Sequence, residues 1–133
     1  MATKIFVNLP VQDLEKSKGF YTKLGYTVNP QFSDETAACI VVSEDIYFMI
    51  LTHNKFKQFT HKEISDATRT SEVLVALSAD SKEKVNEIAD NALKAGGKVN
   101  LDPQDLGFMY SRSVSDPDGH ILEIIWMDPS AIQ

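Results

Sequence analysis

The chain has 133 residues, 43% apolar and 24% charged, with a net charge of −6 and a pI of about 4.9. That length suits one domain, or two small halves sharing one core, and the acidic balance argues against nucleic acid or an anionic membrane as partner, since either would want a basic face. No run approaches the roughly 18 apolar residues of a membrane helix, the N-terminus has no signal-peptide pattern, and one cysteine, Cys39, cannot form an intrachain disulfide, so a reducing cytoplasm is the expected location.

KIFVNLPV, residues 4–11, is short, β-branched and apolar, and predicts a strand. DLEKSKGFYTKLG, residues 13–25, predicts a helix with Asp13 as N-cap, Leu14, Ser17, Phe20, Tyr21 and Leu24 on one face, and Gly25 as its stop. YTVNPQF predicts a further strand. TAACIVVS and IYFMILT, on either side of Glu44-Asp45, predict a hairpin. Cys39 lies in that apolar run and reads as a small core residue. Residues 53–71 are polar, with Phe56, Phe59 and Ile64 as scattered anchors, and read as a connector with room for one helical turn.

The same order then returns. EVLVALSA, residues 72–79, predicts a strand. SKEKVNEIADNALKAGG, residues 81–97, predicts a helix capped by Ser81, with an apolar stripe of Val85, Ile88, Ala89, Ala92 and Leu93 and a stop at Gly96-Gly97. Its charge-rich KEKVNE segment reads as a solvated face. KVNLD predicts a short strand, and GFMYSRSVS and HILEIIWM a hairpin about the turn DPDG, with Pro117 fixing a dihedral and Gly119 supplying positive φ. A shift of 68 lays the first strand of one half on that of the other, and a shift of 74 does so for the last strands. A repeat this short implies two modules of one structure: about 1–52, a connector at 53–71, and about 72–133.

Three stretches, VNLPVQDLEKSKGFYTKLGY, LKAGGKV and SDPDGHILEIIW, resemble the vicinal oxygen chelate superfamily, the group of glyoxalase I, bleomycin-resistance proteins and extradiol dioxygenases. With the order of elements between them, the resemblance spans nearly the whole chain. It implies an α+β fold of two βαβββ modules, forming a curved, cup-shaped mixed sheet with helices on its outer face. It also implies a small-molecule ligand in the cup and a homodimer.

The metal-dependent members draw ligands from the first and last strands of each module. On this sequence those positions are Phe6, Met49, Leu74 and Glu123. Only Glu123 is a ligand type for the divalent ions concerned. Phenylalanine and leucine bind no metal, and a thioether suits Cu(I). Asn8, on the face of Phe6, is a poor replacement for imidazole. His53 and His61 lack the i, i+4 spacing of a helical pair, and His120 points away from Glu123. No metal site and no cofactor are expected.

Glu123 is nevertheless a carboxylate inside an apolar strand, and a metal ion, a cationic side chain or a ligand should meet it. A four-residue loop from Asp116 to Gly119 would set Arg112 opposite Glu123, and Tyr110 opposite Ile125, for a guanidinium–carboxylate pair. A slip of one residue would instead set Ser111 or Ser113 there. Leu122, Ile124 and Trp126 form the wholly apolar alternative face and are assigned to the helix side. The cup is then expected to carry Phe6, Asn8, Tyr47, Met49 and Leu51 from one half, and Leu74, Ala76, Tyr110, Arg112 and Glu123 from the other.

The expected function is binding of a small aromatic or anionic molecule without a catalytic metal. The alternative is a glyoxalase-like lyase or isomerase with Glu123 as general base.

Overall fold

The structure is a computed structural model that describes residues 2–131. The chain divides into two compact units, residues 1–66 and 67–133. In the first, strand β1 (Ile5–Val11) leads into helix α1 (Leu14–Lys23), then β2 (Thr27–Asn29), β3 (Ala37–Val41), β4 (Ile46–Thr52) and the single turn α2 (His53–Phe56). In the second, β5 (Val75–Ser78) leads into α3 (Lys82–Lys94), then β6 (Lys98–Asp105), β7 (Met109–Ser115) and β8 (Ile121–Met127).

Each unit holds one four-stranded mixed sheet, in the order β1-β4-β3-β2 or β5-β8-β7-β6. The first strand runs parallel to the last, and the remaining pairs are antiparallel. The βαβββ topology therefore occurs twice. No helix among the described residues is long and apolar enough to cross a membrane.

Both long helices start and stop on local chemistry. The Asp13 carboxylate accepts the Lys16 N–H at 3.1 Å, and the Ser81 hydroxyl accepts the Lys84 N–H at 3.1 Å. Each cap satisfies a backbone donor that the first helical turn leaves without a partner. At the other ends Gly25 and Gly96 take φ of 110° and 105°, a conformation open to glycine at little cost. Tyr26 N–H then returns to Tyr21 C=O, and Gly97 N–H to Ala92 C=O. This is the glycine-terminated bond that closes many helices.

The helix stripes lie against the sheets. In the first unit Phe20, Tyr21, Val11, Ile40, Phe48 and Ile50 are fully buried, with the Tyr21 and Phe48 rings 5.4 Å apart. In the second, Val85, Ala89 and Ala92 of α3 and Val114, Leu122 and Ile124 of the sheet are fully buried. Each large apolar side chain so buried stabilises the fold by about 1.5–3 kcal/mol.

Three elements differ from the sequence expectation. The strand expected over YTVNPQF stops at Asn29, because Pro30 has no N–H to give the ladder. Asn29 instead accepts the Gln31 N–H at 2.9 Å and opens a 3-10 turn, Pro30–Phe32. Strand β5 is shorter than 72–79. Strand β6 is longer than KVNLD: it runs eight residues at the sheet edge, where Pro103 is tolerated, and breaks register with β7 after Val99 and after Leu101.

Candidate functional site

The turn at Asp116 sets the second sheet's register. Asp116 N–H donates to His120 C=O at 2.9 Å, and Gly119 N–H donates to Asp116 C=O at 3.0 Å. The buried Asp116 carboxylate accepts the N–H groups of Asp118 and His120, both at 2.9 Å. Asp116 therefore faces His120. The loop tip is the three residues Pro117, Asp118 and Gly119, with Gly119 at φ 95°. A tight turn closed by a left-handed glycine is a common hairpin solution.

The expected four-residue loop is thus one residue too long, and the register moves by one. Ser113 stands opposite Glu123, Arg112 opposite Ile124, and Tyr110 opposite Trp126. The pairing of Arg112 with Glu123 is corrected accordingly.

Arg112 and Tyr110 turn to the α3 side. Arg112 Nη1 donates to Asp90 Oδ1 at 2.8 Å and to Asn86 Oδ1 at 3.1 Å, and the Tyr110 hydroxyl donates to the same Asn86 oxygen at 2.6 Å. The Arg112 side chain is 15% exposed. Lys82 Nζ lies 5.5 Å from the centre of the Trp126 ring and 6.0 Å from that of Tyr110. Neither Tyr110 nor Arg112 belongs to the face of Glu123. The helix face that carries KEKVNE is not wholly solvated either, since Asn86 is half-buried and bonded. Asn86 and Asp90 were missed as partners, although their i, i+4 spacing sets both on one helix face.

On the side away from α3, Glu123 has Ser113 across one strand boundary and Ala76 across the other. Ile121 and Ile125 flank it along β8 on that face. The Ser113 hydroxyl is buried and accepts a bond from Asn100 Nδ2 at 2.8 Å. Glu123 itself is half-buried, and among the described residues its carboxylate has no hydrogen bond and no ion pair. Ser113 and Asn100 were not singled out from sequence, although the alternation S-R-S-V-S carries the signal once the register is known. Leu74 precedes β5 and is 56% exposed.

In the first unit, Phe48 and Ile50 face α1. The alternate residues Phe6, Asn8, Tyr47 and Met49 therefore share the opposite face, with Phe6 beside Tyr47 and Asn8 beside Met49. The Phe6 and Tyr47 rings are stacked, with centroids 4.8 Å apart and planes 11° from parallel. Tyr47 Oη donates to Glu44 C=O at 2.7 Å, and Lys4 Nζ lies 5.6 Å from the ring centre and 3.4 Å from the Asp45 carboxylate. Asn8 Nδ2 donates to Phe6 C=O at 3.2 Å. Ala37, Cys39 and Leu51 on this face are buried, whereas Phe6 is 50% exposed. Burial pushes the Cys39 thiol up, away from the thiolate form, so it is a packed side chain rather than a nucleophile.

The donor chemistry at Phe6, Met49, Leu74 and Glu123 does not fit a divalent metal, because one carboxylate is the sole oxygen donor among the four. Among the described residues no three His, Cys, Asp or Glu side chains gather into a group that could hold one.

Residues 3–43 match the family model described as Bleomycin resistance protein-like N-terminal. No curated protein matches the chain by sequence. Solved structures match it along almost its full length. A hypothetical protein from S. aureus is 26% identical, over 95% of this chain and 94% of its own, with a TM-score of 0.79. A glyoxalase/bleomycin resistance protein/dioxygenase family enzyme from Burkholderia phytofirmans is 17% identical over 95% and 99%, with a TM-score of 0.77. A glyoxalase-related enzyme from Fulvimarina pelagi is 20% identical over 95% and 88%, with a TM-score of 0.78. The chain is thus similar in its N-terminal third to the bleomycin resistance protein-like N-terminal model, and its duplicated βαβββ fold is that of solved structures described as glyoxalase/bleomycin resistance/dioxygenase proteins.

Proposed function

We propose that this protein binds a small, flat, largely apolar molecule on a sheet face that its helices leave uncovered, and that side chains rather than a metal meet it. The observation that carries this reading is the Phe6–Tyr47 pair. Two stacked rings stand on a face that α1 does not cover, one of them half exposed, with the thioether of Met49 and the amide of Asn8 beside them. An exposed ring costs apolar hydration that a planar ligand would relieve, and the offset geometry of the pair continues naturally into a third ring. A mostly apolar surface with a few polar groups is the usual make-up of a small-molecule site.

The anionic ligand expected from sequence loses its support, because the guanidinium meant to meet it lies against α3. Titration calorimetry with naphthalene-sized probes tests the reading. Binding to the wild type and about a tenfold loss in Phe6→Ala is the expected result. No heat with any flat probe overturns it.

A second reading is a lyase or isomerase of the glyoxalase type with Glu123 as general base. It is favoured by the same carboxylate, which among the described residues has no ion pair, and a carboxylate beside a carbonyl substrate is the residue type a general base requires. Turnover of a small 2-oxo compound that Glu123→Gln abolishes, with binding of that compound unchanged, would establish it.

A further inference from the structure

We propose that the uncovered sheet face of the second unit takes a small molecule with a protonated nitrogen, and that Glu123 is the residue that meets it. This rests on the small-molecule reading above and assigns the ligand's charge. Glu123 sits between Ile121 and Ile125 along its strand, with Ala76 on one side and Ser113 on the other. A half-buried carboxylate in such surroundings has lost part of its hydration, and a cation or a hydrogen-bond donor restores it.

Among the described residues no cation and no donor bonds to it. The neighbouring arginine is held on the far side of the sheet by Asp90 and Asn86. The Ser113 hydroxyl opposite Glu123 accepts the Asn100 amide at 2.8 Å and makes no bond to the carboxylate. Lys98 pairs with Ser115 on the outermost strand. It lies two strands from Glu123, roughly 10 Å at the strand spacing alone, and makes no ion pair with it.

The polar groups at this place are therefore a charged carboxylate and, beside it, a serine hydroxyl. A primary or secondary ammonium suits this set, with one N–H for the carboxylate and its apolar body against the two isoleucines. The net charge of −6 also draws cations towards the molecule.

Three isosteric probes separate the possibilities: 2-naphthylmethylamine, protonated at pH 7; neutral 2-naphthylmethanol; and anionic 2-naphthoate. Each is titrated calorimetrically into the wild type, Glu123→Gln and Glu63→Gln. The last removes the same charge from an exposed connector position. The expected result is a Kd for the amine about tenfold below that of the alcohol in the wild type and in Glu63→Gln, with naphthoate weakest. In Glu123→Gln the amine and the alcohol should bind alike.

Equal binding of all three probes to the wild type would overturn the charge assignment and leave the flat-molecule reading standing. So would an amine preference that survives in Glu123→Gln. Failure of all three to bind would sink both. Stoichiometric binding of Ni(II) or Zn(II) that Glu123→Gln abolishes would overturn the assignment too, by making the carboxylate a metal ligand.

Discussion

Gly119 closes the turn before β8 at φ 95°, and its α-carbon is pressed against the chain that enters the second unit. A β-carbon there would lie 2.6 Å from Ala67 C=O oxygen and 2.7 Å from Thr68 N. Gly25 has φ of 110° but open space around it. The pair separates two costs. Gly25→Ala meets only the left-handed backbone penalty, about 1 kcal/mol, whereas Gly119→Ala adds a collision with main chain and should lose about 2–4 kcal/mol. Urea denaturation checks this, and equal midpoints for the two variants would contradict it.

Tyr26 offers a second test at the same scale. Burial pushes its phenol up to about 12, above the value near 10 of the unfolded chain. The folded state thus holds the proton after the unfolded state has released it. Stability from this group is fully present below pH 10 and is lost between about pH 10 and 12. Tyr26→Phe should flatten the fall in stability across that window, and tyrosinate absorbance should show one late-titrating group that the variant lacks.

At the scale of elements, the α3–β7 junction carries polar bonds where an apolar seam was expected. The Asn86 oxygen takes bonds from both Tyr110 and Arg112. Asn86→Ala should cost about 1–3 kcal/mol, since two donors lose their acceptor together. Arg112→Ala should destabilise as well but leave probe affinity unchanged, because the guanidinium faces α3; a large loss of affinity would put it back in the site.

Why this junction was not legible is a matter of one turn. Composition and alternation marked β7 and β8 and the apolar face of Leu122 and Ile124. Which residue stands opposite which depended on whether Asp116 belongs to the strand or the loop. Its carboxylate bonds to Asp118 and His120 decide that, and they depend on a three-dimensional turn geometry that the letters DPDG share with longer loops. Because side chains alternate, that one-residue shift exchanged the faces of Tyr110 and Arg112. In the first unit no such turn intervenes. Phe6, Asn8, Tyr47 and Met49 come from two parallel neighbours, and alternation alone groups them on one face.

At the scale of the molecule, the duplication was readable because each half repeats its punctuation: a cap, a helix stripe, a glycine stop and a closing hairpin. The limits of β2, β5 and β6 were less so. Pro30 ends one strand early, and an edge strand such as β6 extends past Pro103 because its outer N–H groups need no partner within the sheet.

The central claim is that in each unit a ligand binds the sheet face turned away from the helix, the face of Phe6 and Tyr47 in the first and of Ser113 and Glu123 in the second. Amide chemical-shift mapping of the labelled protein during titration with 2-naphthylmethylamine tests it most directly. The expected result is saturable shifts in β1 and β4 around Phe6 and Tyr47 and in β7 and β8 around Ser113 and Glu123, with Glu123→Gln weakening the second set about tenfold. Shifts confined to α1 and α3, or around Asn86 and Asp90, would contradict it.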